Sequence, residues 1–399
     1  HEINKPYPAT NALINPKKNV DNPLKNYYCA TTLTYFFLEI LIDKTKSSFN
    51  LSNYLIYVLL ALVCDVMPIR KINRYIALNL IKNFKINNNI VFKTLYELSK
   101  KKNSFTIEDL GFFIGPIINS GGRLSNSQIS AELLISENFD IVKAKSLKLI
   151  KLNNIRKDIE IKILKEINFK KFEKENKDVI IYYSSKIKEG LIGIIASRLK
   201  DYFNKPSIVI TTSQNILKGS ARSTENYNIG NVIKDLIDKK IIDSGGGHNM
   251  AAGFTMKKSK LKNLENFILE DFALKNRKMN LNYTYDAEIS SNAINRNFAD
   301  EINKISPFGF GNPIPTFLIK NLKIIKVSTI NNKHINVILK PKIGKSINSI
   351  CFNSLNTQLG EHLLSYKKTF HVIAQIHENY WNYNKRLQLN IKDLLIELN

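Results

Sequence analysis

The spacing of apolar residues changes twice along the chain, and those changes limit the fold more than any other property of the sequence. Cys29 to Ile42 and Asn53 to Cys64 are dense apolar stretches longer than ordinary strands, and they suit buried helices. Pro68 limits the second, after which Ile72 to Phe84 and Ile90 to Lys100 return to helical spacing. Leu152, Ile155, Ile159, Ile163 and Ile167 recur at intervals of three and four, which predicts one long amphipathic helix across Ile141 to Glu175. Strand-like and helix-like runs then alternate, at Val179 to Tyr183, Ile192 to Tyr202, Ser207 to Thr211 and Ile229 to Lys239, an α/β order. Beyond a lysine-rich stretch ending near Asn282 the runs become β-branched and alternating. Phe317 to Val327, His334 to Leu339, Ser346 to Phe352, Phe370 to His377 and Leu387 to Ile391 predict a small closed barrel. With 399 residues and 44% hydrophobic content the chain can fill several cores, so the three regions are expected to fold as separate units.

Charge points to the kind of partner. Lysine and arginine number 59 against 34 acidic residues, a net charge of +25 that favours a polyanion and excludes an acidic solvating protein. A compositional bias toward lysine and asparagine is the competing source of part of that surplus. Cys29, Cys64 and Cys351 lie far apart with no CxxC pair, which excludes a disulfide framework or zinc-thiolate site and suits a reducing, cytoplasmic compartment. The longest apolar run, Tyr54 to Cys64, falls short of the roughly 20 residues a membrane span needs. No membrane association is expected. The chain opens on His1-Glu2 without a signal-peptide order, and position 1 reads as a cut inside a longer protein.

Several segments carry candidate chemistry, each beside a plainer explanation. Gly115-Pro-Ile-Ile-Asn-Ser-Gly-Gly-Arg-Leu124 places paired glycines before Arg123, a loop that would let backbone approach a phosphate while the guanidinium forks onto it. An ordinary helix-entry turn with an exposed arginine is the alternative. Lys218-Gly-Ser-Ala-Arg-Ser223 follows a strand-like run and frees Arg222 and Ser223 to reach an anion, or else is a strand edge with a surface arginine. Ser244-Gly-Gly-Gly-His-Asn-Met-Ala-Ala-Gly253 is the most informative stretch. The amides of Gly245, Gly246 and Gly247 suit an anion-binding nest to which His248 adds a donor, and a flexible linker competes. Asp65 closes an apolar run where a buried carboxylate would be costly without a cation, unless it simply turns to water. Pro307-Phe-Gly-Phe-Gly-Asn-Pro313 is a stiff loop presenting Phe308 or Asn312, and Trp381 stands between Tyr380 and Tyr383. These aromatics suit stacking of unpaired bases, and they suit a hairpin core equally well.

Taken together, and across nearly the whole chain, these segments resemble the RecJ single-strand-specific exonucleases of the DHH phosphoesterase superfamily. His1-Glu2 followed by Asn15-Pro16 is similar to the end of that family's Asp-His-His motif, and Leu62-Val-Cys-Asp-Val-Met-Pro68 resembles its later metal-binding segment, with Asp65 as ligand. Asn119-Ser-Gly-Gly-Arg123 matches the Asn-Ala-x-Gly-Arg element apart from serine for alanine. Gly190-Leu-Ile-Gly-Ile-Ile-Ala-Ser-Arg198, Gly219-Ser-Ala-Arg-Ser223 and Gly245-Gly-Gly-His248 resemble the DHHA1 domain, and the segment from Pro307 onward its OB-type domain. The family's Asp-x-Asp motif, a further aspartate and the start of Asp-His-His have no counterpart.

The resemblance implies an α/β multidomain fold: the remainder of a DHH domain over 1–140, a connecting helix over 141–175, a DHHA1 domain over 176–282 and an OB-type single-strand-binding barrel over 283–399. It implies a 5′ to 3′ exonuclease on single-stranded DNA, serving repair and recombination, with Mn2+ or Mg2+ in a two-metal site to which only Asp65 and His1 remain as ligands. Asn119, Gly122, Arg123, Arg222, Ser223, Gly245, Gly246, Gly247 and His248 would hold phosphates near the 5′ end, and Phe308, Asn312 and Trp381 the rest of the strand. Its partners would be single-stranded DNA with a 5′ end and single-strand-binding protein or a helicase, in a monomeric protein. The alternatives are a non-catalytic single-strand-binding module, favoured for this chain by the missing carboxylates, and a DHH-DHHA1 phosphodiesterase acting on short RNA or nucleotides.

Overall fold

The computed structural model describes residues 7–18, 21–101, 105–276, 284–331, 333–355, 357–366, 368–381 and 384–396, with backbone only at 379–381 and 384–385. The helices in chain order begin with α1 (Ala30–Thr45), α2 (Leu55–Cys64), α3 (Lys71–Asn83), α4 (Ile90–Leu98) and the single turn α5 (Ile107–Asp109). A π-turn at Leu110–Ile114 leads into α6 (Gly115–Leu124), followed by α7 (Gln128–Ile135), α8 (Phe139–Glu166) and α9 (Phe169–Glu175). Next come β1 (Ile180–Tyr183), α10 (Glu189–Phe203), β2 (Ser207–Ser213), β3 (Ile216–Arg222), α11 (Ile229–Asp238), β4 (Ser244–His248), β5 (Ala251–Met256) and α12 (Leu261–Asn276). The C-terminal part holds β6 (Ala287–Ile289), α13 (Arg296–Lys304), β7 (Phe317–Ile330), β8 (His334–Pro341), β9 (Ile347–Cys351), α14 (Gln358–Ser365), β10 (Phe370–Trp381) and β11 (Asn384–Leu395).

The asparagine content has a structural use. Asn89, Asn138, Asn168, Asn228 and Asn295 are the N-caps of α4, α8, α9, α11 and α13, each side chain accepting from backbone N–H groups of the first turn. One of these caps corrects the expected single helix over 141–175. α8 stops at Glu166, Ile167 is extended, and Asn168 starts α9 as a separate helix.

The chain divides into two compact units, residues 1–84, 105–111 and 282–399 in one, and 85–104 and 112–281 in the other. The first unit contains the early helices and the sheet β10-β11-β9-β8-β7-β6, in which β10 also pairs with β7, so the sheet closes on itself. Ile335, Val337, Leu339, Val372 and Leu389 point into this ring and are fully buried. The loop before β7 is fastened to the turn between α2 and α3. Ile69 N–H donates to Phe310 O at 2.7 Å, Arg74 Nη2 to Ser306 O at 2.7 Å, and Arg70 Nε to Gly311 O. Gly311 has φ +77°, and a Cβ there would stand 3.0 Å from Pro68 Cβ, so glycine is needed for both the turn and the approach.

The second unit is built on the sheet β1-β2-β3-β5-β4, parallel only between β1 and β2. On one face Val209 of β2 packs with Leu191 and Ile195 of α10. On the other, Ile208, Ile210 and Phe254 pack with Ile233 of α11 and Leu264 of α12.

Candidate functional site

Strand register in the second unit decides which side chains meet. β2, β3, β5 and β4 align Ser207, Arg222, Ala251 and His248 in one row, and Val209, Ser220, Gly253 and Gly246 in the next. Because side chains alternate between faces, these two rows share the face that carries Val209, the α10 side. A Cβ added to Gly193 of α10 would lie 3.0 Å from Arg222 Nη2 and 3.2 Å from Ser220 Oγ, which puts the helix directly against that arginine. Toward the sheet edge Gly246, Gly253 and His248 are exposed, so bare backbone reaches solvent there.

Arg123 arrives at the same place from α6. Its Nη1 donates to Gly190 O at 3.0 Å, and a Cβ on Gly190 would stand 2.3 Å from Arg123 O. Only glycine lets the first turn of α10 come so near. Arg222 Nη1 donates to Ala221 O at 2.9 Å and to Ser220 Oγ at 3.2 Å. Both guanidinium groups are held below the usual arginine range, chiefly by burial. Arg156 adds repulsion at Arg123, partly relieved by Glu160, and Arg123 itself adds repulsion at Arg222. Glu160 is buried and already occupied, accepting from Arg198 Nε at 2.6 Å and Arg156 Nη1 at 3.3 Å. Two half-buried cations beside the amino end of a helix suit an anion.

The structure corrects how three of the motifs are built. Asn119-Ser-Gly-Gly-Arg123 is the interior and end of α6, not a loop. Gly121 is the packing glycine, since a Cβ there would stand 2.7 Å from Ser130 Oγ, whereas Asn119 and Gly122 are exposed. Gly245, Gly246 and Gly247 form the edge strand β4 instead of a nest-forming turn. A Cβ on Gly245 would meet Ile233 and Phe254, one on Gly247 would meet Ala251 O at 2.4 Å, and one on Gly246 would meet nothing within 4 Å. Lys218 to Arg222 are strand residues of β3, and Ser223 just beyond is buried with its hydroxyl donating to Tyr227 O.

In the first unit Asn312 Nδ2 donates to Ile305 O and Pro307 O, tying its own loop, and Phe308 packs on the ring core. Asp65 is the C-cap of α2 and is exposed to solvent, while nearby protein still raises its carboxyl above the usual range by desolvation. Among the described residues no three histidine, cysteine, aspartate or glutamate side chains gather as a metal cluster. His1 and the Trp381 side chain lie outside the described residues. Gly190 and Gly193 had no role assigned from sequence. Their spacing at the start of a helix that follows a strand was the available signal.

The two domain types fit known families. The DHHA1 domain model matches residues 176–273 and the RecJ OB domain model residues 285–393. The fold thus defines a DHHA1-bearing α/β protein with an OB-type ring. The single-stranded-DNA-specific exonuclease RecJ of Haemophilus influenzae is 30% identical over 408 residues, covering 96% of this chain and 70% of that protein. RecJ of Bacillus subtilis is 28% identical over 342 residues, 84% of this chain and 43% of its own length. RecJ from Thermus thermophilus in complex with Mn2+ superposes with a TM-score of 0.79 at 19% identity, over 96% of this chain and 55% of that one. The chain belongs to the RecJ family of single-stranded-DNA-specific exonucleases.

Proposed function

We propose that this chain is the strand-holding part of a 5′ to 3′ exonuclease on single-stranded DNA, and that its second unit grips phosphates near the 5′ end. The observation that carries the reading is the convergence of the half-buried Arg123 and Arg222 on the start of α10, at Gly190 and Gly193. An incoming phosphate relieves both the repulsion and the lost solvation, so binding at this spot is more favourable than at a surface lysine. His248 lies in the same row as Arg222, with Ala251 between them, and extends the grip along the sheet. Bare backbone at Gly246 and Gly253 lets the strand approach closely. The ring and the basic surface follow the rest of the strand, so affinity falls with salt at a slope of about −0.7 per neutralised phosphate.

Solved relatives carry Mn2+ or Mg2+, and hydrolysis assisted by such ions is the chemistry assigned to the whole protein. Asp65 is the described residue offered to them, and the described residues do not complete a ligand set. A second reading for this chain alone is that it binds single strands and does not cleave them. A monomer acting in the cytoplasm beside a single-strand-binding protein or helicase accords with this role.

Digestion assays with Mn2+ separate the readings. A long 5′-phosphorylated single strand is expected to be bound by this chain and left intact. Robust metal-dependent degradation would overturn the binding-only reading, and preference for dinucleotides over the long strand would overturn the polymer assignment.

A further inference from the structure

At 87% exposed, Phe112 is the most exposed large apolar side chain among the described residues. It stands in the π-turn Leu110–Ile114, a geometry that appears mostly as short insertions into helices, frequently at functional sites. Its neighbour Phe113 behaves differently, meeting Tyr96 edge to face at 5.5 Å with Lys101 Nζ 5.4 Å from the ring centroid. Of two adjacent phenylalanines, one is packed and one faces water.

The helix that follows gives that exposure a direction. At about 100° per residue within α6, Pro116, Asn119 and Arg123 fall on one face, with Phe112 in the turn just before it, while Ile117 and Gly121 fall on the opposite face and are buried, as is Ile114. From 112 to 123, at about 1.5 Å per residue, this face runs about 16 Å, the reach of a few nucleotides of single strand. It ends on the guanidinium that meets α10. The residues between, exposed Asn119 and half-buried Pro116, do not extend the aromatic into the contiguous apolar patch that a protein partner would use. An isolated exposed ring in line with a candidate phosphate site is an arrangement that can stack an unpaired base.

We propose that Phe112 is a base-stacking residue, receiving a nucleobase a few positions inward from the phosphate held by Arg123. The inference rests on the reading of Arg123 as a phosphate ligand, and the experiment keeps the two apart. Binding is measured by fluorescence anisotropy without divalent cations, using a 5′-phosphorylated oligothymidylate of about twenty nucleotides and versions abasic at each of the first several positions. Phe112→Ala is expected to weaken binding about tenfold and Phe112→Trp less than about twofold. The salt slope should be unchanged, since no charge is lost. On the oligonucleotide abasic at the contacted position, wild type and Phe112→Ala should bind alike.

Unchanged affinity in Phe112→Ala, or the same loss on every abasic oligonucleotide, would overturn the stacking role, the latter showing a packing residue. Arg123→Ala is run in parallel. If it weakens binding and Phe112→Ala does not, only the stacking proposal falls, whereas unchanged binding in Arg123→Ala removes the phosphate reading on which it rests.

Discussion

In the closed sheet β6–β11 no strand contains a glycine, whereas β3, β4 and β5 of the open sheet contain five, Gly219, Gly245, Gly246, Gly247 and Gly253. Every strand of the ring contributes side chains to one shared interior, short β6 through the partly buried Ile289, and the ring's stability comes from filling that volume. The open sheet has a filled side under α11 and α12, and a second side where α10 packs on β2 and β3 while β4 and β5 show exposed backbone. At Gly246 and Gly253 the missing side chain leaves backbone open, whereas at Gly245 and Gly247 packing leaves no room for a Cβ. Gly219 belongs with the packed pair, because a Cβ there would overlap the Phe254 ring at 2.1 Å.

The largest expected effect is at Gly190, where Gly190→Ala forces α10 off Arg123 O and should cost about 3 kcal/mol in chemical denaturation, with loss of strand binding. Comparable cost from Leu339→Ala, about 3 kcal/mol through a cavity in the ring, would show that both sheets depend on close packing. Next in size, Arg222→Ala should weaken binding of a 5′-phosphorylated oligonucleotide by about 2 kcal/mol, since a charged hydrogen-bond partner is lost. It should leave the unfolding midpoint nearly unchanged, as a repulsive partner of Arg123 leaves with it. Within the glycine strand, Gly247→Ala should destabilise measurably while Gly246→Ala stays within about 0.5 kcal/mol and impairs binding. Equal destabilisation by both would erase the distinction between packing and approach.

The smallest effect concerns pH. Burial, with help from the charge of Lys392, holds His377 of β10 below the ordinary imidazole range. A base whose proton affinity is lower in the folded state binds fewer protons there, so its contribution is complete above about pH 6.5 and declines as pH falls below that. Ring stability should therefore drop slightly on mild acidification. His377→Gln should flatten that dependence in denaturant titrations at several pH values.

The same contrast explains what could be read from sequence. The ring strands were legible because β-branched residues alternate along them, as in His334 to Leu339. β4 was not, because Ser-Gly-Gly-Gly-His has no side chains to show a period of two, and it reads as a loop. Arg123 and Arg222 stood out by the glycines beside them. The Asn119 segment also reads as a loop, because Gly121 and Gly122 weaken helix propensity, and only the crossing with Ser130 and Leu149 explains the first of them. The break before α9 was marked by Asn168, a cap hidden by the continuing apolar spacing through Ile163 and Ile167. Phe112 gave no signal, since two adjacent phenylalanines look like core.

The fastening of the loop at Ser306 to Gly311 onto the turn between α2 and α3 joins segments more than two hundred positions apart in sequence. Ending the polypeptide after α12 would therefore do more than discard the ring. It would strip Ile69, Arg70 and Arg74 of their carbonyl acceptors and loosen the turn that follows Asp65, so anyone trimming this protein should expect the early helices to suffer from a cut made near the opposite end.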